Sequence, residues 1–365
     1  MKGLYVHIPF CGVKCPYCSF TAFPGQHHMA DRYLDALEKE MRAYRIFRPD
    51  TLYVGGGTPG CLSCRQIEKL FVAVSLNYGS VKLFKESTFE ANPESLDKEK
   101  VIVLKNAGIT RISLGMLCAQ DRLLGFLGRR HTFADFQKVF SDLRKNGFGN
   151  INVDVMTAIP GQTMEDFRET VDAVLRIAPE HFSVYSLQVE EGTPFHKKGI
   201  KEDGEAAREM YEYAVEKLVS AGYRRYEISN FAKPGMECRH NLNYWDNGEY
   251  LGLGCSAASH IAGERKTDPS GLGGYMEPLL SGKIPEPVSA EKISGKEKLG
   301  ETMMLGLRKT EGIMLTARMK RDFRKQLEKL EQEGLIELSA GRVCIKPENF
   351  YLANRVFREF IPPFD

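Results

Sequence analysis

The chain has 365 residues, of which 42% are hydrophobic, and its 50 basic and 48 acidic residues give a net charge of +2. This composition is ordinary for a globular protein, and the near balance of charge creates no strong field toward nucleic acid or a membrane surface. No apolar run has the length of a transmembrane helix, and the first residues lack the apolar stretch of a signal peptide. We therefore expect a cytoplasmic protein without a transmembrane segment, large enough for one main domain and a small second one.

The first two thirds of the chain alternate short apolar β segments with amphipathic helical segments. Strands are predicted at Leu4–Ile8, Thr51–Val54, Ser87–Ala91, Arg111–Leu114, Asn152–Met156 and Phe182–Leu187. Helices are predicted near residues 30–46, 64–76, 96–106, 133–145, 164–176 and 204–221. This alternation indicates a parallel α/β sheet with helical crossovers, which can be an open sheet or a partial barrel. In both folds the functional side chains gather at the carboxyl ends of the strands.

The alternation ends near residue 226. The stretch Arg239–His260 looks irregular and is rich in aromatic residues, including the only tryptophan, Trp245. Residues 262–300 are polar and contain several Gly and Pro residues, which is typical of a linker or a helical connector. The order helix, strand, turn, strand over residues 323–345 is the outline of a small winged-helix module.

Three of the nine cysteines lie within eight residues, directly after the first predicted strand. Cys11, Cys15 and Cys18 have the spacing C-x3-C-x2-C, and their thiolates are suited to iron–sulfur or zinc. A structural zinc site needs four ligands, and no further Cys or His lies at zinc-finger spacing. Three thiolates on a [4Fe-4S] cluster leave one iron open for a small molecule. The spacing therefore predicts a cluster with an open iron.

A glycine loop follows one predicted strand, and two acidic residues lie within two others. Gly55–Pro59 reads Gly-Gly-Gly-Thr-Pro, and a backbone without side chains lets a ligand approach closely, although a tight turn alone would also explain it. Glu90 and Asp154 lie in otherwise apolar strands, where a carboxylate is costly unless it is paired or functional. A structural salt bridge would explain either residue alone. Their common position near the strand ends favours contacts to a ligand.

Several motifs resemble the HemN/HemW branch of the radical S-adenosylmethionine (SAM) proteins. They are Tyr5–Cys11, Gly55–Pro59, Phe89–Pro93, Tyr226–Phe231, His240–Trp245 and Tyr250–Gly254. The resemblance covers nearly the whole chain and implies a partial (β/α)6 barrel with a small C-terminal winged-helix-like domain. We expect the barrel over residues 1–230, the H-N-x-x-Y-W segment and a connector over 231–300, and the C-terminal domain over 301–365.

The resemblance also implies a [4Fe-4S] cluster on the three cysteines, with SAM completing its coordination and an electron donor such as flavodoxin or ferredoxin. It assigns SAM contacts to Tyr5, Tyr17, Gly56, Gly57, Thr58, Glu90, Arg129 and Asp154. One departure is Leu117, which stands where the family usually has Gln and so removes a polar contact to SAM. The resemblance thus leaves open whether SAM is cleaved or only bound, and it assigns no catalytic residue.

Two groups within the branch differ in one cysteine and in one sequence motif. Oxygen-independent coproporphyrinogen III oxidases, which act in porphyrin biosynthesis, carry a fourth cysteine two residues after the third, where this chain has Phe20. The haem chaperones lack that cysteine and carry the motif H-N-x-x-Y-W, present here from His240 to Trp245. The resemblance therefore favours a chaperone that binds haem and passes it to an unidentified acceptor. An oxidase, or another radical SAM enzyme acting on a tetrapyrrole, is the alternative.

The H-N-x-x-Y-W motif has a physical interpretation as a haem site. A neutral His240 imidazole can ligate haem iron, and Tyr244 and Trp245 can offer flat apolar surface to the macrocycle. The competing interpretation is that this stretch only covers the open side of the barrel.

Two other signals are given ordinary interpretations. Cys61 and Cys64 form a C-x-x-C pair, but two cysteines alone cannot hold a cluster, and a helix is predicted to start there. The basic run at 318–325 is followed at once by acidic residues, which indicates a solvated helix face rather than a nucleic-acid site.

Overall fold

The computed structural model describes residues 1–364. Its strands are β1 (Lys2–Ile8), β2 (Phe10–Cys11), β3 (Phe23–Pro24), β4 (Thr51–Gly56), β5 (Glu86–Ala91), β6 (Arg111–Leu117), β7 (Ile151–Thr157), β8 (His181–Ser186), β9 (Arg224–Arg225), β10 (Asn230–Ala232), β11 (Glu249–Leu253), β12 (Ala258–Ile261), β13 (Glu264–Thr267), β14 (Ser289–Lys292), β15 (Ile313–Met314), β16 (Ile336–Ser339) and β17 (Arg342–Ile345). The α-helices are α1 (Ala30–Ala43), α2 (Cys64–Tyr78), α3 (Lys98–Ala107), α4 (Asp121–Phe126), α5 (Phe133–Lys145), α6 (Met164–Ile177), α7 (Pro194–Lys197), α8 (Gly204–Ser220), α9 (Arg239–Trp245), α10 (Leu272–Leu280), α11 (Gly295–Gly306), α12 (Ala317–Asp322), α13 (Arg324–Gln332) and α14 (Ala353–Arg358). Short 3-10 helices lie at His27–Met29, Pro59–Cys61, Val81–Leu83, Pro93–Ser95 and Pro347–Leu352.

Six parallel strands form the centre of the molecule. β1, β4, β5, β6, β7 and β8 are neighbours in that order, and each pair is joined through helices. These are the six predicted strands, with bounds within three residues of the prediction, and the predicted partial (β/α)6 barrel is confirmed. Three of the crossover helices, α2, α5 and α6, begin with a capping box in which a Ser or Thr and a residue three positions later exchange hydrogen bonds.

The sheet continues beyond this set of six. Within residues 1–364 it has twelve strands in the order β14-β13-β12-β11-β1-β4-β5-β6-β7-β8-β10-β9. β11 is parallel to β1, and β12, β13 and β14 follow it in antiparallel order. The stretch interpreted as irregular and the start of the presumed connector therefore form a helix and strands. The reason is that β11 is stabilised by pairing with a strand from the other end of the chain, which a local pattern does not reveal.

A second, smaller core lies in the C-terminal part. α11, α12 and α13 pack on a three-stranded sheet of order β15-β17-β16, around buried side chains that include Met303, Phe323, Leu330 and Val343. This is the predicted winged-helix-like outline. Among residues 1–364, no helix combines the length and apolar character needed to cross a bilayer.

Candidate functional site

The cysteine triplet lies at the carboxyl end of the barrel. Cys11 is the last residue of β2, and Cys15 and Cys18 lie on the loop that follows, where the Cys18 N–H donates to the Cys15 carbonyl at 3.1 Å. All three thiols are free of disulfides and line one cavity with a volume of about 550 Å³. Burial raises the pKa of Cys11 to about 11 and also raises the pKa of Cys18. The structure therefore brings the predicted metal ligands to a single cavity.

The glycine loop after β4 forms the adjacent wall of this cavity, through Gly56, Gly57 and Thr58. Its backbone is held against the cysteine segment, because the Gly57 N–H donates to the Ile8 carbonyl at 2.9 Å and the Thr58 N–H donates to the Phe10 carbonyl at 2.8 Å. Gly56 has a φ of 108°, and a Cβ atom there would lie 2.5 Å from the imidazole of a neighbouring histidine. Only glycine fits this conformation and this spacing.

The two acidic residues predicted on strands line the same cavity. Glu90 accepts hydrogen bonds from the Tyr53 hydroxyl at 2.5 Å and from the Gly56 N–H at 3.2 Å, and Asp154 accepts one from the Asn152 amide at 2.7 Å. These partners are hydroxyl, amide and backbone donors, not the cations of a structural salt bridge. Burial, reinforced by the charge of Asp154, raises the pKa of Glu90 to about 7, and burial raises the pKa of Asp154.

Of the remaining SAM candidates, two line the cavity and one does not. Tyr17 and Arg129 are on the wall, and Nε of Arg129 is buried without a hydrogen-bond partner in residues 1–364. A buried guanidinium nitrogen facing a cavity favours a ligand with an acceptor group. Tyr5 lies deeper in the barrel, where its hydroxyl is 3.0 Å from Nδ1 of His7.

Further residues on the cavity wall were not among the predicted set. Asn92, Ser113 and Gly115 lie there, and the Asn92 amide donates at 3.2 Å to the Thr58 hydroxyl, which is itself 3.4 Å from the Cys11 sulfur. Asn92 could have been indicated by its position directly after β5, two residues beyond Glu90. Ser113 lies opposite Glu90 on the neighbouring strand, a register that the sequence alone does not show.

The H-N-x-x-Y-W segment lies at the opposite, amino-terminal end of the barrel. It forms helix α9, whose first backbone N–H groups donate to the carboxylate of Glu86 at the start of β5. His240 is buried with 1% exposure, its Nδ1 lies 2.8 Å from the Thr51 hydroxyl, and its Nε2 lies 2.9 Å from the Tyr244 hydroxyl. Both ring nitrogens are therefore hydrogen-bonded to neighbouring hydroxyl groups in this arrangement.

Trp245 faces the C-terminal domain. The guanidinium of Arg308 lies 4.5 Å from the centre of its ring, and Asp246 pairs with Lys309 at 2.5 Å. Helix α9 thus closes one end of the barrel and joins it to the C-terminal domain. In this arrangement His240 and Trp245 do not form an open face, and the haem site at this motif stays a prediction.

Comparisons with known proteins agree with this architecture. Residues 5–174 match the Radical SAM superfamily, and residues 293–352 match the HemN C-terminal domain. The protein named heme chaperone HemW from Bacillus subtilis is 37% identical, with 99% of each chain covered. Its namesake from Lactococcus lactis is 36% identical, over 99% of this chain and 97% of that one. The chain belongs to the HemW family of radical SAM proteins.

This membership confirms the resemblance drawn from the sequence motifs. Among solved structures, coproporphyrinogen III oxidase (HemN) from Escherichia coli is similar, with a TM-score of 0.86 over 99% of this chain and 90% of that one. At 21% identity this similarity shows a shared fold. The HemW-family chain therefore has the HemN architecture with its own set of residues.

The residues at the cavity fit an iron–sulfur cluster. Soft thiolates suit iron–sulfur chemistry, and three of them leave one iron of a [4Fe-4S] cluster open for a small molecule. The three free thiols, the glycine wall and the unpartnered Nε of Arg129 form a donor set that suits a cluster with a small polar ligand beside it.

Leu117, the departure from the family pattern, lies outside this cavity. It has a φ of 76° at the irregularity in the pairing of β6 with β7. Its side chain is fully buried in an apolar cluster with Leu123 and Leu127. The side chain at this position packs away from the cavity, so it adds no contact to a ligand there.

We expect acid to destabilise the fold partly through His240. Burial lowers the pKa of its imidazole to about 3, whereas an exposed histidine has a pKa near ~6.5. The unfolded chain then binds a proton that the folded chain does not, so the contribution is complete above pH ~6.5 and is lost as the pH falls from there toward 3. Between pH 7.5 and 5.5, chemical denaturation should show a loss of about 1.4 kcal/mol from this group.

Two variants check this pH dependence. His240→Gln should reduce the loss of unfolding free energy on acidification, and His28→Gln, at an exposed position, should leave it unchanged. Burial also lowers the pKa of His7 and His181, so part of the acid effect remains in the variant. An identical pH dependence in His240→Gln and the parent would contradict a neutral, buried His240.

Proposed function

We propose that the chain binds haem and passes it to an acceptor protein, and that it carries a [4Fe-4S] cluster on Cys11, Cys15 and Cys18 with an exchangeable SAM. The observation that carries this proposal is the similarity along nearly the whole chain to proteins named heme chaperone, at 33–37% identity. Phe20, which is 68% exposed, stands where the oxidases of the branch have a fourth cysteine, and this agrees with the chaperone group.

The residues at the cavity have different proposed roles. A bound cluster with SAM would provide one-electron radical chemistry, which is a property of the cofactor. The chain's own residues bind and orient. Gly56, Gly57 and Thr58 would form the cradle for the amino group of SAM, while Glu90, Arg129 and Asp154 would contact its ribose and carboxylate.

The proposal assigns the haem iron to Nε2 of His240. Burial keeps this imidazole neutral, which is the form that ligates iron. Ligation requires that the Tyr244 hydroxyl give up its 2.9 Å contact with Nε2 and that helix α9 move away from the barrel end. Haem binding is therefore expected to compete with the closed arrangement of α9.

Replacing Tyr244 with phenylalanine should strengthen haem binding. The change removes the hydroxyl that competes with iron for Nε2 of His240, and a hydrogen bond of this kind has a net worth of about 0.5–1.5 kcal/mol. We expect the haem dissociation constant to fall by roughly two- to tenfold. The measurement is a titration of the anaerobically reconstituted protein with haem, followed by the Soret band.

Matched variants complete this experiment. His240→Ala should lose the spectrum of histidine-ligated haem, and Tyr250→Phe, which alters a ring packed against Tyr244, should bind like the parent. If Tyr244→Phe and His240→Ala both bind haem as the parent does, His240 is not the ligand. A parent protein that binds no haem would overturn the chaperone function itself.

The same preparation tests the alternative of a porphyrinogen oxidase. Incubation with a reductant, SAM and coproporphyrinogen III, followed by mass spectrometry, should return the substrate unaltered. Loss of two carboxyl groups from the substrate would instead establish the oxidase.

A further inference from the structure

A second cavity lies inside the barrel, between the cysteine cavity and helix α9. We call it the inner chamber; its volume is about 300 Å³. Glu90, Ser113, Asp154 and Tyr185 line both cavities, so the two are adjacent. The far side of the inner chamber is formed by residues near α9, including Asn241, the neighbour of His240 in sequence.

Arg111 is the cationic residue of this chamber. It lies two residues before Ser113 on β6, toward the amino-terminal end of the strand, and its exposure is 2%. Its Nε has no hydrogen-bond partner within residues 1–364, while Cys238 and Glu86 are close enough to stabilise its charge. A buried guanidinium nitrogen without a hydrogen-bond partner is costly, and it marks a place where a ligand can supply an acceptor.

The acidic groups nearest to Arg111 are bonded to other donors. Glu90 accepts from a tyrosine hydroxyl and a backbone N–H, and Asp154 accepts from an asparagine amide. Glu86 accepts from the first two backbone N–H groups of α9. These carboxyl groups provide a favourable field for the cation, but none forms its hydrogen-bonded partner.

We propose that the inner chamber binds a carboxylate group through Arg111. The planar guanidinium has five N–H donors, and its geometry matches the two oxygens of a carboxylate. The rest of the lining includes the amide of Asn241, which can donate to the same oxygens, whereas the Ser183 hydroxyl already donates to Asn230. The 300 Å³ volume accommodates a short carboxylate arm but not a macrocycle.

The proposed haem function identifies the carboxylate, and this step rests on that function. Haem carries two propionate side chains, and the inner chamber lies beside the helix that bears His240. A propionate of a haem ligated by His240 is therefore the group that the chamber would take, with Arg111 selecting for its charge.

The first experiment uses propionate alone. Saturation-transfer NMR on the full-length protein should detect bound propionate and should detect no binding of propionamide, which has a similar shape without the charge. Arg111→Gln should lose the propionate signal, and Arg130→Gln, at an exposed arginine, should keep it. If Arg111→Gln does not fold, Asn241→Leu is used as the test variant, since an apolar side chain in the chamber should weaken propionate binding.

The second experiment compares haem with its dimethyl ester, in which both propionates are neutral. The parent should prefer the free acid by roughly ten- to a hundredfold, the range of a charge-assisted hydrogen bond worth about 1.5–3 kcal/mol. In Arg111→Gln this preference should fall toward one, while Arg130→Gln should retain it. An equal preference in Arg111→Gln and the parent, together with an unchanged propionate signal, overturns the inference. If neither haem form binds but propionate does, the haem function fails and the carboxylate site stands.

Discussion

Serine in place of Cys15 or Cys18 is expected to abolish the iron–sulfur cluster. Three thiolates are the full protein ligand set that the cysteine loop offers, so the loss of one leaves two irons without a protein ligand. A serine hydroxyl is a hard oxygen donor and replaces a soft thiolate poorly. Both cysteines are only half-buried, so the fold should persist. Iron and sulfide analysis after anaerobic reconstitution should fall toward zero, together with the visible absorption of the cluster.

Two other cysteines provide the controls. Cys344→Ser, on β17 of the C-terminal domain, should retain the full iron content. Cys64→Ser, at the start of α2, tests whether the C-x-x-C pair contributes, and it should also retain it. Full iron in Cys15→Ser, or its loss in Cys64→Ser, would show that the cluster is held by a different set of thiols.

The parts of this architecture that the sequence predicted are those whose information is local. The cysteine loop is contained in eight residues, and a strand before it can be inferred from its own apolar pattern. The same holds for the six barrel strands, since parallel strands buried on both faces form continuous apolar runs. Some helix starts are also local, because Ser63 and Thr132 cap α2 and α5. The alternation of strands and helices could therefore be predicted in chain order.

The parts that were not predicted depend on contacts between distant segments. β11 is a short, glycine-interrupted segment that becomes a strand because β1 pairs with it. Helix α9 is located by the carboxylate of Glu86 and the hydroxyl of Thr51, which no pattern within the helix indicates. The sequence left two interpretations of His240 open, a haem ligand or part of a cover over the barrel. Its inward position at the end of the barrel could be found only from the structure.

Arg111 is another residue whose environment the sequence pattern does not predict. In sequence it is the first residue of an apolar strand, where an arginine usually marks the exposed end. In the structure the side chain of Arg111 lies inside the barrel, so the guanidinium is buried in the inner chamber. The difference arises because the barrel has an interior as well as an outer surface, and the strand period alone does not say which polar side chains point inward.

Alanine at position 57 is the second change from which we expect a large effect. The added Cβ would lie 2.8 Å from the Phe10 carbonyl oxygen and 2.9 Å from the Ile8 carbonyl oxygen, so the glycine loop and the cysteine segment must separate. Overpacking of this kind costs about 1–3 kcal/mol, and we expect SAM affinity to fall on the order of tenfold or more in calorimetry of the reconstituted protein. Gly12→Ala is the matched control, because it lies on the cysteine loop and its Cβ would meet nothing within 4 Å. If Gly57→Ala binds SAM as tightly as Gly12→Ala, the close backbone approach at this wall does not contribute to the SAM site.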